Sequence, residues 1–463
     1  MSISKQSVKR FGYWSIVLLA INSIIGTGIF LNPKSVILLS GTWAPVVYIG
    51  AAVFACVLAV TFASAAKYTR KNGAAFAYST VAFGDSVGLY IGITRFVAGA
   101  IAWGVMATAV VSSTIEIFMG KENKTFTNVT IGFLLLMAVV LGIIFSGTYV
   151  TKIFSNLSTV GKVAALAVAI IAGLVIFIKT GENHMHEVNS VLNDAGEPVV
   201  KPMNFNLFIT SVIAAFYAFT GFESVASAAS EMEEPEKNLP KAIPVAIGII
   251  ALVYVGIVTS AMLANPVAIM QSKDTVGLAS AYSNPWIKNI ITYGAVLSMF
   301  GINIAAGFST PRVFEAMVDE GHLPSFLSKR SKNGVPVTAF IVTAAMAIIV
   351  PMAFHYDMQG IMIISSISRF AQFLVVPMAV IVCYKGMAKK QILQAKGNVI
   401  TDVIVPILGF LLTVLLLAMF SWRSSFSLED GSLNYYAISA MIFGYVILPL
   451  LVYIPYKAGK FKK

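Results

Sequence analysis

About a dozen apolar runs of some 20 residues each, separated by short polar segments, leave this chain of 463 residues few folds to choose from. A run of that length crosses the hydrocarbon layer of a bilayer as a single helix. No water is available there to complete a broken hydrogen bond. A spanning segment must therefore satisfy its own backbone, as a helix or as part of a closed barrel. The runs fall roughly at 14–38, 42–66, 88–119, 127–147, 152–178, 207–231, 241–264, 286–317, 337–354, 359–384, 401–421 and 435–456. They predict an all-α polytopic membrane protein with 12 transmembrane helices. Composition agrees, with 58% hydrophobic and only 11% charged residues and a mean hydropathy of +0.84. The longest polar stretch, Gly181 to Asn206, is too short to bury a core of its own, so residues 1–463 read as one transmembrane domain.

A net charge of +12 raises the question of nucleic acid, and its distribution argues against it. With the N-terminus inside, the cytoplasmic segments carry 21 Lys/Arg, among them Lys67, Arg70, Lys71, Lys329, Arg330, Lys332 and the tail from Lys457 to Lys463. The outer segments carry seven, and Lys34, Arg95, Lys162 and Arg369 fall within spans. That asymmetry follows the positive-inside rule, placing both termini in the cytoplasm. The first ten residues are polar and basic, but the apolar run behind them is too long for a signal peptide and reads as a retained first span. Cys56 and Cys383 both sit in apolar runs and read as small packing residues.

Two spans are interrupted in a way a simple membrane helix would not favour. The first reads Asn22-Ser23-Ile24-Ile25-Gly26-Thr27-Gly28-Ile29-Phe30, then Asn32-Pro33. The sixth reads Ala218-Phe219-Thr220-Gly221-Phe222-Glu223-Ser224 and runs on toward Glu231 and Pro235. Paired breaks in the two halves of an apolar chain point to a transporter binding site at the bilayer midplane. Breaks five spans apart predict two repeats of five helices, 14–178 and 207–384, inverted because five is odd, with appended helices at 401–456. Spans 3 and 8, both about 30 residues long, occupy equivalent places in the two halves.

The breaks carry complementary chemistry. Gly26 and Gly28 let the backbone leave helical geometry, and the N–H groups of Thr27, Gly28 and Ile29 would open the outer half-helix. Free donors at a helix N-terminus suit a carboxylate. Around Gly221, the carbonyls of Phe219 and Thr220 suit an ammonium, so the pair fits a zwitterion. The alternative is that these glycines serve close helix packing.

Residues 22–33 resemble the first-helix motif of the amino acid–polyamine–organocation (APC) superfamily. Residues 216–244, from Phe-Tyr-Ala-Phe-Thr-Gly-Phe-Glu-Ser to Lys-Ala-Ile-Pro, resemble its sixth helix and the following loop. The likeness extends through Arg312 and Ala316-Met317-Val318-Asp319-Glu320-Gly321-His322-Leu323-Pro324 and covers spans 1 to 10. It implies that Gly26, Thr27 and Gly28 hold a substrate carboxylate, and that the carbonyls of Ile24, Phe219 and Thr220 hold the amine. It also implies that Phe222 lies above the substrate in an outer gate. Lys162, in Ser158-Thr159-Val160-Gly161-Lys162-Val163, is a costly charge at membrane depth. In some members of the family a lysine here puts its ammonium where sodium-coupled relatives bind Na⁺. That implies proton coupling or exchange without Na⁺; the alternative is a lysine that snorkels to the cytoplasmic surface. Ser309 and Thr310 are its expected neighbours.

Glu223 either titrates during transport or braces the unwound segment. Arg369, deep in span 10, needs a counter-charge, for which Glu223 and Glu116 are the candidates. Arg95, near the inner end of span 3, is expected to reach the cytoplasmic interface. Specificity would come from Tyr217 and Phe222, from Ala102, Val105 and Met106, and from Ala305 and Ala306. These are small or apolar, favouring small or neutral amino acids. The expectation is a secondary active transporter of L-amino acids with alternating access, in a bacterial cell membrane. Its partners would be the substrate, a proton and the lipid bilayer, with no cofactor, no metal and no nucleic acid. The competing readings are an amine or amino acid antiporter for charged or polyamine substrates, and a channel. A channel would line an open path with polar or charged rings, which the spans lack. No phosphate-binding glycine loop is present for a pump, and no clustered metal or nucleophile set for an enzyme.

Overall fold

The computed structural model describes residues 12–461 apart from 70, 72, 147, 194, 227–231, 332–335, 421 and 428–430. Arg70, Lys332, Glu231, the first eleven residues and the last two, used above for orientation and for the end of span 6, lie outside the described residues. The described residues are mostly helical. Three isolated antiparallel bridges, such as Leu192 with Pro198, are the only β pairing among the described residues.

The helices α1 (Tyr13–Ile24), α2 (Gly28–Ser40), α3 (Ala44–Ala65), α4 (Ala75–Phe83), α5 (Asp85–Phe118), α6 (Phe126–Phe145) and α7 (Thr148–Thr180) come first. They are followed by α8 (Phe205–Phe216), α9 (Phe222–Ala226), α10 (Pro235–Ala264), α11 (Pro266–Gln271), α12 (Pro285–Ser309) and α13 (Arg312–Asp319). Next come α14 (Val337–Ala353), α15 (Met358–Ile367) and α16 (Phe370–Tyr384). The chain closes with α17 (Val405–Met419), α18 (Trp422–Ser425), α19 (Tyr435–Ile442) and α20 (Leu448–Lys457). Among the described residues, nine helical stretches are long and apolar enough to cross a membrane. Tyr13–Ile24, Phe205–Phe219 and Val337–Ala353 are shorter apolar helices.

Polar side chains start several helices. Thr125, Asn204, Asn284 and Asn434 each accept a hydrogen bond from a backbone N–H of the first turn of α6, α8, α12 and α19. Each such cap contributes about 0.5–2 kcal/mol.

Three features depart from the simple count of runs. The segment after span 2 contains α4, nine residues long and almost wholly buried, where sequence analysis placed only an inside loop. It is too short to register as a span, and Gly73 and Gly84, at φ +96° and +88°, turn the chain on either side of it. The expected span 8 bends at Thr310-Pro311, where proline forbids a continuous ladder, and resumes as the amphipathic α13. Span 10 is interrupted at Ser368 and Arg369, between α15 and α16.

Packing places α7 along α10 and α12, while α3 lies between α10 and α8. Ser158 on α7 donates to the carbonyl of Ser298 on α12 at 3.3 Å. Association in lipid relies on such bonds and on van der Waals contact rather than on a hydrophobic drive. An aromatic cluster joins α3, α8, α9 and α16: Phe62 meets Phe222 and Phe373 edge-on, and Phe222 stacks on Phe373 at 6.0 Å. Beyond the end of α3, Lys67 pairs with the fully buried Asp402 at 2.6 Å, and Tyr68 also donates to that carboxylate. Removing one partner of such a pair costs about 3–5 kcal/mol, because the other stays buried and charged. Asp402→Asn should therefore lower the thermal midpoint of the detergent-solubilised protein clearly, and Lys67→Met with Asp402→Leu should restore most of it. An unchanged midpoint for Asp402→Asn would show that the pair does not hold α3 to the segment before α17.

Candidate functional site

At the first break, Ile25 N still donates to Ile21 O at 2.9 Å. Helical bonding resumes when Phe30 N and Leu31 N both donate to Thr27 O, at 3.1 and 3.2 Å. The amides of Gly26, Thr27, Gly28 and Ile29 lie between these points, the set of donors that a helix start leaves open. They carry the positive end of the 13-residue α2. At the second break α8 tightens into a 3₁₀ turn over Tyr217–Phe219. Thr220 is extended, and Gly221 at φ +123° redirects the chain into α9.

The two breaks cross in contact. A Cβ added to Gly28 would lie 2.5 Å from Ala218 Cα, and one added to Gly221 would lie 2.5 Å from the carbonyl oxygen of Ser23. Close packing and unwinding are thus one feature here, not alternatives. Asn32 on α2 donates to Ala214 O on α8 at 2.6 Å. The buried Tyr254 hydroxyl, on α10, donates to Ala218 O at 3.0 Å and lies 3.5 Å from Ile24 O. Tyr254 therefore ties both unwound strands together. Sequence analysis missed it, because nothing in an apolar span marks one tyrosine for that task.

A cavity of about 420 Å³ opens at the crossing. Ile24, Gly26, Thr27 and Gly28 line it from the first break, and Tyr217, Thr220 and Gly221 from the second. Ala102 and Met106 on α5 and Ala305, Ala306 and Ser309 on α12 complete its upper walls. It continues toward α13, where Arg312, Glu315, Asp319 and Arg330 line the mouth, with Arg330 paired to Glu315 at 2.7 Å. Phe219, Phe222 and Val105 are fully buried and are not among the lining residues. The Phe219 ring packs on Tyr48 and Tyr254, and Phe222 belongs to the aromatic cluster, so neither ring covers the cavity.

Charged groups gather beside the second break. Arg369 Nε donates to Glu223 Oε1 at 2.8 Å, and both side chains are buried. Glu223 Oε2 accepts from the Gly221 amide at 3.0 Å. One carboxylate therefore caps the unwound segment and neutralises an arginine, while Arg369 Nη1 also donates to the carbonyl of Ser365 at 2.8 Å. Glu116, the other candidate for Arg369, instead binds Lys124 and Thr275. Arg95 corrects an expectation. It is buried, lines the cavity and donates from Nη2 to Ser224 Oγ at 3.1 Å, rather than reaching the inner surface. The start of α9 brings a hydroxyl within its reach. Nearby, Tyr445 of the last span donates to the carbonyl of Ser368 at 2.5 Å, at the interruption between α15 and α16.

Lys162 is also buried. Its ammonium donates to the Asn22 carbonyl at 3.0 Å and to Asn22 Oδ1 at 2.8 Å, linking α7 to the last turn of α1. Snorkelling to the surface is excluded by that position. Ser298, which receives the Ser158 bond one turn away, precedes Ser309 by some 16 Å of helix axis. Ser309 belongs to the cavity wall and Lys162 to the rear of the first break.

Residues 11–447 match the amino acid permease family. The chain belongs to that family. It is a multi-pass membrane transporter rather than an enzyme, and its substrate is a small molecule of the amino acid or amine class. An uncharacterised transporter of Mycobacterium tuberculosis is 38% identical over 460 residues, 97% of this chain and 95% of the relative. The branched-chain amino acid permease of Bacillus subtilis is 24% identical over 407 residues, 82% of each chain. The putrescine transporter of Haemophilus influenzae is 26% identical over 345 residues, 73% of this permease and 75% of the relative.

The crossing geometry ranks three alanine substitutions in this permease. Gly28→Ala and Gly221→Ala push a methyl group into backbone and should abolish uptake and reduce recovery of monodisperse protein several-fold. Gly26→Ala meets only the flexible Ile302 side chain at 3.3 Å and should leave folded protein near wild-type yield. Size-exclusion profiles of the three variants check the order; a Gly221→Ala protein that behaves like Gly26→Ala would overturn it.

Proposed function

We propose that this permease is a secondary active transporter that binds an amino acid between its two broken helices and carries it by alternating access. The observation that carries this reading is the cavity at the crossing, which presents the open amides of α2 on one side and the carbonyls around Thr220 on the other. Donors facing acceptors match the carboxylate and ammonium of an amino acid, and both are backbone groups that every amino acid substrate can use. Gly26, Thr27 and Gly28 take the carboxylate. The amine is taken by the carbonyls of Ile24 and Thr220; the third expected carbonyl, that of Phe219, belongs to a residue outside the cavity lining.

The chain is organised as twelve spans in one domain over 1–463. Repeats 14–178 and 207–384 are related by inversion, and the helices at 401–456 are appended. Breaks after α1 and after α8, at corresponding places, support this arrangement. The charge asymmetry supports cytoplasmic termini, which makes the cavity mouth at α13 face inward. Transport is independent of Na⁺ and proceeds by proton symport or by exchange. Lys162 supports this, because its ammonium already occupies the rear of the first break against Asn22, where a cation would otherwise bind. Glu223 braces the second break, and Ser309 lines the inner route. The lining supports a small or neutral side chain. Ala102, Met106, Ala305 and Ala306 flank the breaks, and the carboxylates of the lining, Glu315 and Asp319, lie at the mouth.

Reconstituted vesicles test the reading. Saturable uptake of a labelled amino acid, stimulated by unlabelled substrate on the far side, is expected; linear flux indifferent to it would indicate a channel. Replacing Na⁺ by choline should leave the rate unchanged. Lys162→Ala should abolish uptake driven by a pH gradient, and a variant with normal gradient dependence would remove Lys162 from coupling.

A further inference from the structure

Arg95 has no task in the transport scheme above, yet it is a buried charge on the cavity wall with no ion pair of its own among the described residues; the opposing charge that acts on it is Glu223, already paired to Arg369. Its side chain lines the cavity while the residue is only 7% exposed. Its one hydrogen bond goes to a neutral hydroxyl, that of Ser224, and its Nε has no partner among the described residues. The neighbouring carboxylate is committed: Glu223 gives one oxygen to Arg369 and the other to the Gly221 amide. Beside the second break two lining guanidinium groups, Arg95 and Arg369, thus share one neighbouring carboxylate, Glu223, while the other lining charges, Arg312, Glu315, Asp319 and Arg330, gather at the α13 end. A lysine can relieve burial by shedding its proton, but a guanidinium stays charged in proteins. Its planar fork matches a carboxylate in particular, which can accept two parallel bonds from it.

Position matters as much as charge. Ser224 follows Gly221 by three residues, so the guanidinium that binds it sits about 5 Å of helix axis from the second break. That is the reach of a side chain two or three carbons long, extending from an amino acid held at the crossing. Gly99, next on the lining face of α5, is covered by Thr310, whose methyl would lie 2.9 Å from an added Cβ, and Arg95 Nη1 lies 3.6 Å from the same point.

We propose that the cavity selects acidic amino acids, with Arg95 receiving the side-chain carboxylate while the α-carboxylate and ammonium use the two breaks. This rests on the transporter reading above and specifies the substrate class at the same site. An amino acid of net charge −1 balances the second guanidinium. A neutral one leaves it unmatched, and a cationic one adds to the imbalance. The small side chain that the alanines permit is then an anionic one, of aspartate or glutamate length.

The test uses full-length protein in vesicles, with labelled L-aspartate and L-glutamate in counterflow. Wild-type protein should accumulate one or both, and excess unlabelled leucine or lysine should not compete. Arg95→Gln should raise the KM for the acidic substrate at least tenfold and admit glutamine or asparagine, while Arg95→Lys keeps part of the acidic uptake. A folding defect in these variants does not spoil the test. In detergent, millimolar aspartate or glutamate should raise the thermal midpoint of the wild-type protein, and leucine should not. Wild-type exchange of neutral or cationic amino acids to the exclusion of acidic ones overturns the proposal and leaves the transporter reading standing. So does Arg95→Gln with an unchanged KM for the acidic substrate. Failure of amino acids of every charge to exchange overturns both.

Discussion

Peptide groups that leave a helix at membrane depth must find partners inside the protein. In this permease the two unwound segments pack directly on each other. Gly28 lies against Ala218 and Gly221 against Ser23, so the chains meet backbone to backbone. Tyr254 then bridges a carbonyl from one to the neighbourhood of a carbonyl from the other. Gly26, Thr27 and Gly28 of the first break and Thr220 and Gly221 of the second line a cavity. A polar pocket and a stable membrane bundle are therefore obtained from the same crossing.

Ionic groups extend that logic outward. Glu223 receives the Gly221 amide and the Arg369 guanidinium, which connects the second break to the interruption between α15 and α16. Lys162 grips Asn22 one turn before the first break. Each break thus has one charged side chain on its rear or flank, and each is held by an element from elsewhere in the chain. Buried charges of this kind add little net stability, since desolvation offsets their attraction, but losing one partner is costly.

Much of this was legible in the sequence because lipid imposes long, simple signals. Apolar runs announced the helices, and glycines within them announced the breaks at 25–27 and 220–221. What escaped was set by contacts between distant segments. Tyr254 is one aromatic residue among many until the carbonyls of Ile24 and Ala218 converge on it. Arg95 looked peripheral by its depth in span 3, and only the start of α9 at Phe222 gives it a half-buried hydroxyl partner. Phe222 sits at the break in sequence, but the first turn of α9 swings its ring into the Phe62–Phe373 cluster and away from the cavity. The break after Ile367 carries no glycine or proline; serines and an arginine that hydrogen-bond locally take their place, a weaker signal in an apolar run.

The bond from Tyr445 to the carbonyl of Ser368 has a consequence for how the architecture can vary. In the proposed arrangement of two repeats the last two helices stand outside both and would be the natural ones to discard. Here one of them supplies the hydroxyl that satisfies a carbonyl beside the interruption between α15 and α16, one residue from Arg369. A shortened descendant of this chain would have to find another donor for that carbonyl, or heal the interruption and lose the arginine's present placement. The closing segment thereby supports the placement of Arg369, although α17 to α20 contribute no residue to the cavity wall among those described.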